Sequence, residues 1–382
     1  MKKLLGTLLF LGLLWACSSD NGEAPVPPTT GNPEPTPPQE VSFERNTMLV
    51  NWADNIIIPG YEAFDATLLD LMTSFENFKA DASSSNLEAF RSSWLTSYKS
   101  WQWISMFEIG PAEVLDFRLN MNIFPTDATK IDELIISGSY DLSLPSNRAA
   151  KGFPALDYLL NGLATTDETI VSKFNGENKE ELLAYIDAVL ADMKTRTASI
   201  LSDWKSEYRN TFVSNDGASA TASVDRFVND YVFYYEKFLR AGKMGIPLGV
   251  FSGSTLPQNV EAFYEPEISN VLFLEGLQAV QDFFNGKHYG SDTSGESLAS
   301  YLDALNTLKD GEDLTKVIND QLNKAREMVE TLDAFRVEIE NNDPPTDMLL
   351  AYDEVQRAVP LFKVDMVSAM SISIDFVDAD GD

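Results

Sequence analysis

The chain has 382 residues, with one histidine, one cysteine and 59 Asp plus Glu, for a net charge of −31. With a single imidazole (His288) and a single thiol (Cys17), Ser-His-Asp and Cys-His catalysis and zinc sites built on several His or Cys ligands are set aside. What remains is carboxylate chemistry, suited to hard cations such as calcium, magnesium, manganese and ferric iron, on a surface that repels nucleic acid.

Lys2 and Lys3, followed by the apolar run Leu4–Trp15, read as a secretion signal over residues 1–16. The run is shorter than the roughly 20 apolar residues a membrane-spanning helix needs. It ends in Leu14-Trp15-Ala16-Cys17, which looks like a bacterial lipobox with the acylated cysteine at Cys17, leaving no thiol for a disulfide. Residues 17–43 are expected to be a lipid-anchored tether. Seven prolines fall between Pro25 and Pro38, a composition that favours extended polyproline II and cannot bury a core. Ser18–Glu23 resembles the acidic signals that send some lipoproteins to the cell surface.

Helical periodicity dominates from residue 44 onward. Helices are expected at 44–79, 86–108, 178–209, 220–242, 258–284 and 296–308, with short pieces at 131–137 and 150–160. Between Leu314 and Phe335 the apolar residues Leu314, Val317, Ile318, Leu322, Ala325, Met328, Val329, Leu332 and Phe335 draw one stripe. Leu349, Tyr352, Val355, Val359, Phe362 and Met366 repeat it, with a kink expected at Pro360. Strand-like alternation is confined to Ile372, Ile374 and Phe376. The class is all-α. A break near 210–219 divides the helices into two sets, giving an N-terminal bundle over 44–212 and a C-terminal bundle over 213–382.

The segment Gly152-Phe-Pro154-Ala-Leu-Asp157 resembles the Gly-x-His-x-x-Glu signature of the imelysin family, once described as insulin-cleaving metallopeptidases. Asn51–Tyr61, Trp94–Pro111, Ala241–Gly249, Val260-Glu261 and the acidic ending Asp378–Asp382 also resemble stretches of that family. The resemblance implies two four-helix-bundle-like domains that face each other as pseudo-repeats, with the signature at their interface. It also implies an outer-membrane or periplasmic protein associated with iron uptake. Here Pro154 stands where the signature has His and Asp157 where it has Glu, so a pair able to grip a metal is reduced to one carboxylate.

Asp157 is therefore the first ligand or metal candidate. Glu108, next to the Gly110-Pro111 turn, and Glu261 follow it, with Arg118 and Lys243 as supporting charges. His288 lies in a glycine-flanked loop, and Asp378–Asp382 resembles a truncated calcium loop. The expectation is a membrane-anchored lipoprotein of the outer membrane, facing the periplasm or the surface and acting by binding in iron or other divalent-cation uptake. Its partners would be the bilayer, through acylated Cys17, and an outer-membrane iron transporter. Two alternatives stand beside it. One is a carboxylate-dependent metallopeptidase, and the other a surface protein whose inter-bundle groove holds a peptide or a haem-bearing partner.

Overall fold

Residues 45–80 make a continuous helical rod, because Tyr61, Phe64, Leu68, Leu71, Phe75 and Phe78 recur every three or four positions and are all buried. The rod has one irregularity. Pro59 has no N–H, so the Asn55 carbonyl four residues earlier loses its helical donor. The ladder widens to a π-helical segment over Trp52–Ile57, and the Asn55 carbonyl accepts from the Tyr289 amide at 2.8 Å. These elements belong to a computed structural model that describes residues 43–376; the signal, Cys17, the tether up to residue 42 and the acidic ending lie outside the described residues.

The rod packs against the helices Ser84–Ile104 and Lys179–Asp203. The first contributes Leu87, Phe90, Trp94, Tyr98 and Trp101 to the core, and the second Tyr185, Ile186, Val189 and Met193. The second half gathers Ser223–Phe233, its π-helical continuation Tyr234–Gly245, and the helices Ser269–Phe284, Leu314–Val329 and Thr346–Pro360. Ser269–Phe284 also lies against Ser84–Ile104, and Trp52, Phe107, Phe227 and Phe283 interlock there with ring centroids 4.7–5.8 Å apart. The protein is all-α, as expected. Helix is interrupted between Arg209–Ser214 and Ser223–Phe233.

The departures from expectation occur where side chains take over backbone hydrogen bonds. The helix expected over 258–284 begins only at Ser269. The amides of Tyr264 and Glu265 donate to the Asp157 carboxylate instead of to helical carbonyls, and Pro266 has no amide to give. The helix expected to reach 108 stops at Ile104, with the Glu108 amide bonded to Asp230 Oδ2 at 2.9 Å. Residues 372–376 form no strand. Asn229 brackets them instead, its Nδ2 donating to the Ser373 carbonyl and its Oδ1 accepting from the Asp375 amide, both at 3.0 Å. The strand pair among the described residues is Leu308–Lys309 with Glu312–Asp313, turning at Asp310-Gly311 with φ of 54° and 89°. Pro360 leads into a π-helical segment over Leu361–Met366.

Gly152 has φ +72°, and a Cβ built there would overlap the Met121 carbonyl; Gly138 has φ +62° with nothing near its Cβ position. Gly152→Ala therefore combines backbone strain with a collision, whereas Gly138→Ala carries strain alone. Urea unfolding should show a loss of about 3 kcal/mol or more for Gly152→Ala and about 1 kcal/mol for Gly138→Ala. Equal losses would show that the contact with Met121 is not what fixes this glycine.

Candidate functional site

The signature segment forms the short helix Gly152–Asp157, continued by a π-helical turn over Tyr158–Gly162. Pro154 is its third residue, where no intrahelical donor is required, so proline is tolerated. Asp157 is buried and fully engaged. Its Oδ2 accepts from the Tyr264 amide at 2.8 Å, and its Oδ1 accepts from the Glu265 amide and from Asn161 Nδ2, each at 3.0 Å. Burial raises this carboxyl to about 7, against the pull of those donors.

Glu261 is fastened to the same segment of chain. Buried at 1% exposure, it forms an ion pair with Lys243, which is 3% exposed. Its Oε1 also accepts from Asn122 Nδ2 at 2.7 Å and Gln102 Nε2 at 3.2 Å. Lys243 Nζ donates to Gln102 Oε1 at 2.9 Å, and burial lowers the pKa of its ammonium. Tyr98 joins the two carboxylates: its hydroxyl donates to Asn122 Oδ1 at 2.6 Å, and its own ionisation is opposed by burial, then by the fields of Glu261 and Asp157.

Glu108 and Arg118 belong to an adjoining cluster. The Arg118 amide donates to Glu108 Oε2 at 2.8 Å, but its guanidinium pairs with Asp230 at 3.1 Å and donates to the Ser105 carbonyl at 2.7 Å. That guanidinium also lies 4.5 Å from the Phe238 ring centroid. Ser105 Oγ lies within hydrogen-bond distance of Tyr234 Oη at 2.8 Å and of the Gln102 carbonyl at 3.1 Å, which links this cluster to Lys243 and Glu261. Burial raises Glu108 to about 7, with Arg118 opposing the shift.

Both clusters border a cavity of about 730 Å³, within the size range of small-molecule sites. Its walls include Glu108, Arg118 and Lys243, together with the half-buried rings of Phe124, Phe233 and Phe238. Asp157 does not line it, and His288 is elsewhere, its Nδ1 2.9 Å from Thr293 Oγ1. The sequence reading missed Asp230, Gln102, Ser105 and Asn122. Asp230 carried a signal, being an acid set among apolar residues in Val228-Asn-Asp-Tyr-Val232, but the others are neutral and carried none.

The imelysin family model matches residues 57–359. The chain belongs to the imelysin family. Iron-regulated protein A of Synechococcus elongatus is 24% identical over 125 residues, a third of this chain and a third of that relative. Two solved structures share the fold. One, from Parabacteroides distasonis, is provisionally assigned as an iron-regulated protein A precursor; it is 16% identical, with a TM-score of 0.66 over 84% of this chain and 95% of that one. The other is an imelysin-like protein from Psychrobacter arcticum, 17% identical, with a TM-score of 0.68 over 88% and 99% of the two chains.

The donor set at the signature does not fit a metal. Pro154 offers no donor, and both Asp157 oxygens are occupied by backbone and side-chain N–H groups. Among the described residues no three His, Cys, Asp or Glu side chains converge to hold an ion. The arrangement can fasten the 261–265 segment and present Glu108 to the cavity.

Asp157 also sets a pH dependence. The same carboxyl titrates near ~3.9 in an unfolded chain, so the folded state holds its proton more tightly. Its contribution to stability is complete below about pH 4 and is lost as pH rises through its folded value of about 7. Asp157→Asn removes that titration and weakens acceptance from two amides, costing about 1–3 kcal/mol at low pH. Denaturant unfolding at intervals from about pH 4 to 8 should show the parent's advantage over the variant shrinking. An advantage that grows with pH would reverse the assignment.

Proposed function

We propose that this imelysin-family protein is a membrane-anchored, non-catalytic binding component of bacterial iron or other metal uptake. The observation that carries the non-catalytic reading is the signature itself: no nitrogen ligand at Pro154, and an Asp157 carboxylate spent on the Tyr264 and Glu265 amides. Metal-assisted hydrolysis needs a bound ion with an open position and a base beside it, and the signature supplies residues for neither. The iron association is supported by the names of the cyanobacterial and Parabacteroides relatives, both called iron-regulated. Regulation by iron does not require that the ligand be the ion.

On this reading the cavity beside Glu108 holds the ligand, while Asp157 and Glu261 fasten the chain around it. With the bundle boundary taken at 212/213, as expected from the sequence, the cavity would lie between the two bundles, because residues on both sides of that boundary line it. Anchoring would come from acylated Cys17 in the outer membrane, with the folded part facing the periplasm or the surface and an outer-membrane iron transporter as partner. No helix among the described residues is long and apolar enough to cross a membrane.

The full-length protein, supplied with zinc, iron or manganese, should not cleave unstructured peptides, and its thermal unfolding should be the same with and without EDTA. Metal-dependent cleavage that EDTA abolishes would overturn the non-catalytic reading. A fall in melting temperature of several degrees in EDTA would reveal a structural ion.

A further inference from the structure

The cavity has a chemical asymmetry that narrows its ligand. Four half-buried rings line it, Phe124, Phe233, Phe238 and Phe376, with Phe233 and Phe376 5.1 Å apart. The charges around it are mostly spoken for. Arg118 is paired with Asp230, Arg226 with Glu113, and Lys243 with Glu261. Glu108, Lys237 and Asp375 make no ion pair among the described residues, and of these three Glu108 is the half-buried one. Its Oε2 accepts from the Arg118 amide, while its Oε1 has no hydrogen-bond partner among the described residues, and the residue lines the cavity.

A desolvated carboxylate with a free oxygen is stabilised by a cation that reaches it. The rings around it favour the same sign, because aromatic faces attract cations. They already do so here, with Arg118 over Phe238 at 4.5 Å and Lys363 over Phe376 at 5.4 Å. A net charge of −31 steers cations toward the molecule and anions away from it. Among the described residues no three acidic side chains converge to hold a bare metal ion, and the rings beside Glu108 favour a cation that carries its own apolar body. Lys237 lines the cavity and is exposed, and it opposes a cation only weakly across solvent.

We propose that this cavity binds an amphipathic organic cation, its apolar body against Phe124, Phe233, Phe238 and Phe376 and its ammonium or guanidinium on Glu108 Oε1. This rests on the reading that the cavity is the ligand site and names the class of ligand it takes.

The test uses the full-length protein and three fluorescent probes: dansylcadaverine, which carries an amine, its neutral relative dansylamide, and the anionic anilinonaphthalene sulfonate. Dansylcadaverine should bind saturably with a rise in emission, about tenfold or more tighter than dansylamide, with the sulfonate weakest. Glu108→Gln should bring the two dansyl affinities to within about twofold, leaving that of dansylamide unchanged. Lys237→Glu, at an exposed position, should tighten dansylcadaverine about two- to threefold and leave dansylamide unmoved. This second variant decides the matter if Glu108→Gln does not fold. Equal binding of the two dansyl probes, a preference for the sulfonate, or a charge preference untouched by both variants overturns the ligand class alone. Failure of every probe to bind overturns both the class and the placement of the ligand in this cavity.

Discussion

The buried ion pair between Lys243 and Glu261 is the constraint on which the centre of this protein depends. Neither charge could be left in the interior without its partner, because each would carry an uncompensated desolvation cost of several kcal/mol. The pair is further held by Gln102 and Asn122 from the first half of the chain, while Lys243 and Glu261 come from the second half. A polar contact that only one relative placement of these four residues can satisfy fixes how the halves meet, where apolar packing alone would tolerate sliding. The Asp157 bonds to the Tyr264 and Glu265 amides repeat the device a few residues further along the chain.

Much of the fold was legible because helix periodicity is a local property. The stripes in 314–335 and 349–366 reappear as buried faces of Leu314–Val329 and Thr346–Pro360. The errors fall where a distant side chain competes for backbone groups. No local pattern announces that Asp157 will claim amides at 264 and 265, or that Asn229 will bracket residues 373–375. The candidate site was legible in a similar way. Its charged members could be named because acids beside turns and a lysine between glycines stand out. Their groupings depended on contacts across the two halves, and the cavity depended on rings whose sequence pattern is that of ordinary core.

The signature illustrates how a motif can persist for reasons other than its chemistry. Gly152 is held by a left-handed backbone and by the Met121 carbonyl, and Asp157 by the amides it caps. Those are requirements of packing, and they would act on this segment whether or not an ion was ever bound. Two positions depart from the family pattern: Asp157 keeps a carboxylate one methylene shorter than Glu, and Pro154 sits buried at the third position of a helix, where the backbone needs no N–H.

The tryptophans give the molecule an optical character. Trp52, Trp94, Trp101 and Trp204 are all at 1% exposure or less, and the indole N–H groups of Trp52, Trp101 and Trp204 find no acceptor among the described residues. An indole excited in such dry surroundings has few mobile dipoles to relax against, so its emission stays toward the blue. Trp101 is also part of the cavity wall, which makes one chromophore of the native chain a resident witness to whatever enters there.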